Sequence, residues 1–150
     1  GTDMAKIEST VTIRRANSIG ALKAAFPVMQ ELRKHLDLDG FLAAVATQRK
    51  EGYEIAVLWD GDQVRAVAGY RLMTMLVCGR TMYVDDFVTS SDVRDQGYGK
   101  LLFAWLYREA KRLECEVLHL DSGVHRHGAH AFYLGQRMAI TSHHFSIDVG

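Results

Sequence analysis

The sequence predicts an α/β domain: a mixed, mostly antiparallel central sheet flanked by helices, in the order β-α-α-β-β-β-α-β-α-β. Three observations carry this expectation. Apolar residues recur at helical spacing in some stretches and alternate with polar ones in others. Asp60-Gly61 sits between two long β-rich runs, the signal of a hairpin turn. No repeat, low-complexity tract or linker breaks the 150 residues, so one domain over 1–150 is expected, with residues 1–9 as a flexible N-terminus.

STVTIRRA alternates like a first strand through Val11 and Ile13. SIGALKAAFPVMQELRKHL offers Ser18 as an N-cap and apolar positions at Leu22, Phe26, Met29 and Leu36. Its proline, Pro27, predicts a bend or interruption there. DLDGFLAAVATQRKEG predicts a second helix, with Leu42 and Val45 on one face and Gly52 as the stop. YEIAVLW, the turn DGDQ and VRAVAGYRLMTML make the hairpin, and a turn at Cys78-Gly79 leads into the fourth strand, RTMYVDDFVT. A helix is expected from about Lys100 to Cys115, with Leu102, Leu106 and Leu113 near one face and Arg108, Lys111 and Arg112 solvated. EVLHLDS reads as a fifth strand, HGAHAFYLGQ as a short helix and HHFSIDV as a closing strand.

Composition narrows the function classes. Eighteen Lys and Arg balance eighteen Asp and Glu, so no overall field draws the chain to nucleic acid or to an anionic membrane. No apolar run approaches the roughly 18–20 residues of a membrane span, and the opening GTDMAKIE has no signal-peptide h-region. Cys78 and Cys115 form no CxxC pair and read as reduced thiols. A cytoplasmic location follows as an expectation.

The chemistry starts at VRDQGYGKLL, residues 93–102, where two glycines stand at the start of a helix. Glycine admits close backbone approach, and a helix N-terminus presents unpaired N–H groups with partial positive charge, so the stretch suits a phosphate. It is not a Walker loop: Gly99-Lys100 is followed by Leu101, not the hydroxyl residue that binds magnesium. It is not a dinucleotide fingerprint either, because the third glycine is replaced by Leu102 and the loop comes late in the chain. What fits is RxxGxG, spelled by Arg94, Gly97 and Gly99 between a strand and an amphipathic helix. This resembles the acyl-CoA pyrophosphate loop of the GNAT superfamily, the Gcn5-related N-acetyltransferases. Two further stretches are similar to that family: YVDDFVTSSDVR (83–94), as in its amine- and polyamine-acetylating branch, and AHAFYLGQRM (129–138), like its A-x-x-F-Y-x-x-x-G-F helix.

The resemblance implies acetyl-CoA as acyl donor and a primary amine of a small molecule or peptide as acceptor. Backbone amides of Asp95, Gln96, Gly97, Tyr98, Gly99 and Lys100 would cradle the pyrophosphate, with Arg94 and Lys100 adding charge. Phe87, Val88 and Thr89 would hydrogen-bond the pantetheine arm through their backbones, as a neighbouring strand would. An alkylammonium, near pKa 10, must lose a proton before it attacks, and the departing thiolate benefits from an acid. Tyr133 matches the family's acid, and Asp85 its acidic position for the base, acting directly, through a water, or by holding the amine while solvent takes the proton. Adjacent strand residues face opposite sides of a sheet, so only one of Asp85 and Asp86 is expected in the acceptor cleft. The pattern also departs from the family: Asp95 stands where many relatives carry glycine, Arg126 where many have an asparagine, and Arg137-Met138 where Gly-Phe usually ends the helix.

Seven histidines raise a metal reading, chiefly His125, His127 and His130 with the pair His143-His144. No spacing matches HExxH or a zinc finger, so no metal is expected. His125 and His127, just before the tyrosine helix, could instead bind substrate or shuttle its proton. No cysteine lies in a matched catalytic position, which favours direct transfer over an acyl-enzyme. Two other classes compete with the enzyme: a non-catalytic acyl-CoA-binding or sensing domain, and an interaction module that kept only the fold. The presence of both Asp85 and Tyr133 weighs against the first. The family also admits a homodimer, though no stretch specifies an interface.

Overall fold

The computed structural model describes residues 10–150; the expected flexible N-terminus, 1–9, lies outside them. The order is β1 (Val11–Arg15), α1 (Ile19–Leu32), α2 (Leu38–Arg49), β2 (Tyr53–Asp60), β3 (Gln63–Met75), β4 (Gly79–Thr89), a 3₁₀ turn (Ser91–Val93), α3 (Tyr98–Arg112), β5 (Val117–Leu120) and α4 (His127–Gly135). The five strands form one sheet in sequence order, β1 to β4 antiparallel. Glu116 N–H donates to the Arg80 carbonyl at 2.7 Å and Thr81 Oγ1 to the Val117 carbonyl at 2.8 Å. The Tyr83 and His119 rings meet edge to face at 5.1 Å. These contacts advance together along both chains, so β5 runs parallel to β4 and is level with its first half.

Local sequence explains the helix ends. Ser18 accepts from Ala21 N–H at 3.1 Å, and Asp37 from Gly40 N–H at 2.7 Å, each satisfying an orphan donor of the first turn. Of the bend or interruption expected at Pro27, the interruption does not occur: α1 runs through it. It keeps Leu22, Ala25, Val28 and Met29 buried on one stripe around the proline, so packing outweighs the lost hydrogen bond. α3 begins two residues earlier than expected and ends at Arg112, where Glu114 takes a left-handed φ of 60°.

Both faces of the sheet are covered. On one, α1 and α2 pack Leu22, Ala25, Met29, Phe41 and Val45 against Tyr53, Ile55, Val57, Val67 and Val88. On the other, α3 brings Phe103 edge-on to Phe87 at 6.5 Å and Trp105 to Tyr70 at 6.2 Å. β2 and β3 therefore carry near-continuous apolar runs, the composition of strands buried on both sides.

The chain divides into two compact units, one running to His119 and the other Leu120–Gly150. In the second, the expected closing strand at 143–149 is not formed: 138–150 is irregular, with Phe145, Ile147 and Val149 exposed. Its alternation suits a strand, but alternation alone does not make one. A strand holds only where a neighbour satisfies its backbone, and among the described residues this segment joins no ladder.

Gly69, mid-strand in β3, has no room for a side chain. A Cβ there would overlap the Tyr53 hydroxyl and stand 2.5 Å from Asp86 Oδ2. Gly69→Ala should therefore lower stability by about 2–4 kcal/mol, in the range of overpacking plus a broken buried hydrogen bond. Urea denaturation checks this, and an unchanged midpoint would contradict it.

Candidate active site

Strand β4 carries the two acids, and its ladder with β3 is irregular just there. Gly69 pairs with Asp86 and Tyr70 with Val84, leaving Asp85 without a partner of its own. This is a β-bulge, an extra residue that kinks the strand and re-aims its side chains. The expectation that Asp85 and Asp86 face opposite sides fails for this reason. Asp86 reaches the Tyr53 hydroxyl, which donates to Oδ2 at 2.5 Å. Asp85 reaches Arg71, the residue opposite Tyr53 in the ladder, whose Nε and Nη2 donate to its two oxygens at 3.0 and 2.7 Å. Both carboxylates thus engage one row of side chains on the α1–α2 face.

The end of α1 completes the cluster. Arg33, its C-cap residue, donates through Nε to Asp86 Oδ1 at 2.8 Å and through Nη2 to the Asp85 carbonyl at 2.9 Å, clamping the bulge. Arg71 also lies 4.0 Å from Glu51 and over the Tyr53 ring at 5.6 Å. Every acid here has a cationic partner. Asp86 is 11% exposed and Asp85 20%, burial that an unpaired carboxylate would not tolerate without large cost.

The glycine loop follows β4. Phe87, Val88 and Thr89 pair with Ala68, Val67 and Ala66 on β3, and they lie beyond the level of Arg80–Tyr83, where β5 stands alongside. Ser91 N–H donates to Glu31 Oε1 at 2.9 Å, and Arg94 lies 4.0 Å from the same carboxylate, so its charge is shared with α1. Asp95 (φ 68°) and Gly97 (φ 92°) are both left-handed. The departure from glycine at 95 is thereby explained: the backbone there has the conformation glycine favours, and aspartate is among the few residues that also adopt it. Gly97 is the N-cap of α3 and supplies no side-chain cap, so first-turn N–H groups have no side-chain acceptor at that position. A left-handed turn feeding such a terminus is an anion-binding shape. Gln96 and Lys100 are exposed, and Gly99 lies in the first turn. Tyr98 is buried and its hydroxyl donates to Asp60 Oδ2, which ties the start of α3 to the β2–β3 turn.

In the second unit, Tyr133 is buried on α4 with the Phe132 ring 5.6 Å away. Burial pushes its hydroxyl above the ordinary tyrosine value, while the Arg126 guanidinium, hydrogen-bonded to it, pulls the other way. Arg126, expected to be a departure only, is therefore the tyrosine's own partner. Arg137 adopts a left-handed φ of 68° and ends α4 in a Schellman motif, Arg137 N–H to the Leu134 carbonyl and Met138 N–H to the Tyr133 carbonyl. His130 Nε2 lies 2.7 Å from the Gly123 carbonyl, and His144 Nδ1 lies 3.5 Å from Asp121.

Residues 21–136 match the acetyltransferase (GNAT) family model, more than half the chain. The chain belongs to the GNAT acetyltransferase family. It is accordingly an acetyl-CoA-dependent N-acetyltransferase. A GNAT relative, the uncharacterized N-acetyltransferase YhdJ of Bacillus subtilis (strain 168), is 32% identical over 110 residues, covering 73% of this chain and 78% of its own. Solved structures share the fold. A GNAT family acetyltransferase of Staphylococcus aureus superposes with TM-score 0.77 at 20% identity, covering 93% of this chain and 99% of that one. The aminoglycoside N-acetyltransferase AAC(6')-Iy, in complex with CoA, gives 0.81 at 13% identity, with 93% and 94% covered. Among the described residues of this GNAT protein, no helix is long and apolar enough to cross a membrane, and Cys78 and Cys115 are free.

Arg33, Tyr53, Arg71 and Arg126 were not among the expected site residues. Arg33 and Tyr53 lie 53 and 33 positions from Asp86, and Arg71 lies 14 from Asp85. Such partners are set by the hairpin register and by where α1 ends.

Burial, then the neighbouring Asp86 charge, holds the Tyr53 hydroxyl far above its usual value, and burial pushes Tyr70 up to about 12. Tyr98 and Tyr133 are also raised, chiefly by burial. The unfolded chain ionises its tyrosines near 10. Because the folded values are higher, the stability these residues contribute is complete below about pH 10 and is lost as pH climbs through the folded values. Spectrophotometric titration of the native protein should show fewer than the six tyrosines ionised at about pH 10.5. All six titrating near 10 would contradict the burial described.

Proposed function

We propose that this acetyltransferase moves an acetyl group directly from acetyl-CoA to a primary amine of a small molecule or peptide. The observation that carries the reading is the left-handed turn from Asp95 to Gly97 opening α3, set directly after the strand that bears two carboxylates. The turn and the uncapped terminus fit the coenzyme's pyrophosphate. The backbone edge of Phe87–Thr89 fits its amide-bearing arm. Two solved aminoglycoside acetyltransferases of the same fold, one with CoA and one with sisomicin, support a small cationic acceptor.

Acetyl-CoA supplies an activated thioester. The chain's own residues handle the protons. Asp85 takes the ammonium proton, directly or through one water: a carboxylate offers about four lone-pair sites and the Arg71 fork uses two. Tyr133 gives its proton to the departing sulfur. Its raised value keeps it protonated at neutral pH, and Arg126 at its oxygen stabilises the phenolate left behind. Backbone amides from Asp95 to Lys100 hold the pyrophosphate, and Lys100 adds charge from the surface.

Calorimetric titration tests the cofactor site. Acetyl-CoA and free coenzyme A should bind one per chain with micromolar affinity. Gly97→Val, which forces a β-branched residue to φ 92°, should weaken both by about tenfold or more, given the 1–3 kcal/mol such strain costs. Undiminished affinity in Gly97→Val, or no binding to the native chain, would overturn the assignment.

A further inference from the structure

Two adjacent acids, Asp85 and Asp86, suit a cationic small-molecule acceptor, but here both are already paired. The charged groups acting on Tyr53 and Arg71 are Asp85, Asp86, Glu51 and Arg33. Arg33 is bonded to Asp86 and Arg71 to Asp85, and Glu51 lies 4.0 Å from Arg71. Three carboxylates against two guanidiniums leave the cluster one negative charge. The two fully paired acids are the less exposed ones, at 11% and 20%, while Glu51 is 61% exposed. The guanidiniums are thus fixed in place by the fold, and a second ammonium on an acceptor would meet them instead of a free carboxylate.

We propose that Arg33 and Arg71 are specificity residues that make this site select a singly charged amine and discriminate against polyamines. The inference rests on the amine-acetylating reading above and names its acceptor class. One ammonium balances the cluster. Each further one adds like-charge repulsion at partly desolvated range, where Coulomb interactions are several times stronger than in water. Arg33 is the discriminating handle, being the more exposed of the two, 41% against 20% for Arg71.

The test is calorimetric binding of butylamine, putrescine and spermidine, which carry one, two and three ammonium groups on similar alkyl spacing. Titrations run at fixed ionic strength, on the protein alone and with coenzyme A present. Affinity should fall along the series, by about tenfold from butylamine to spermidine. Arg33→Gln exposes an acid's charge and should raise putrescine affinity relative to butylamine by about tenfold, whereas Arg33→Lys should keep the native order. Circular dichroism confirms that the variants fold, and Arg71→Gln gives an independent check. Spermidine binding tightest to the native chain, an unchanged ratio in Arg33→Gln, or binding of none of the three would overturn the inference. Absent coenzyme A binding counts against the acetyltransferase reading instead, and the amine titrations without coenzyme still decide this one.

Discussion

A tyrosine on one strand can hydrogen-bond a carboxylate two strands away only if the strand between them has no side chain in the way. That condition is met at Gly69. Tyr53 on β2 reaches over it to Asp86 on β4, and the bulge at Asp85 occurs at the same rung of the ladder. The core beside it depends on the same geometry, since Tyr53 packs with Ile55, Val57 and Val88 under α1 and α2 while its hydroxyl satisfies the buried acid. Removing the bulge would return Asp85 to the alternate face and break its fork with Arg71. Fold and site therefore share one constraint, and a glycine in a strand interior, ordinarily unfavourable, is retained because nothing larger fits.

The bulge also fixes the electrostatics. Placing two carboxylates on one half-buried face is costly unless each is paired and hydrogen-bonded. Arg71 arrives from the neighbouring strand and Arg33 from the end of α1, so the pairing draws on three elements. The glycine loop is built differently, from backbone. Left-handed residues at Asp95 and Gly97 turn the chain into α3, and Glu31 of α1 accepts from Ser91 just ahead of the turn. α1 thus touches both the acid cluster, through Arg33, and the loop, through Glu31.

Much of this was legible in the sequence. Periodicity located the four helices and five of the six expected strands, and the glycine spacing marked the loop that turns left-handed into α3. What escaped was non-local. A bulge is one extra residue in one strand, and YVDDFV reads the same with or without it. Its presence is decided by the register against β3. Pro27 marked a bend or interruption, and the buried stripe of α1 carries the helix through without interruption. Asp95 and Arg137 looked like substitutions that weaken a motif, but both keep the left-handed backbone that the motif's glycines provide. HHFSIDV had a strand's pattern without the neighbour that would make it one.

Thiol release from acetyl-CoA, measured with and without a monoamine for the native chain, Asp85→Asn and Tyr133→Phe, tests the roles of the acid and the base most directly. Release should depend on the amine and fall by about a hundredfold in each variant, as expected for loss of a positioned acid or base, with coenzyme A affinity retained. Release that ignores the amine, or native turnover in both variants, would contradict it.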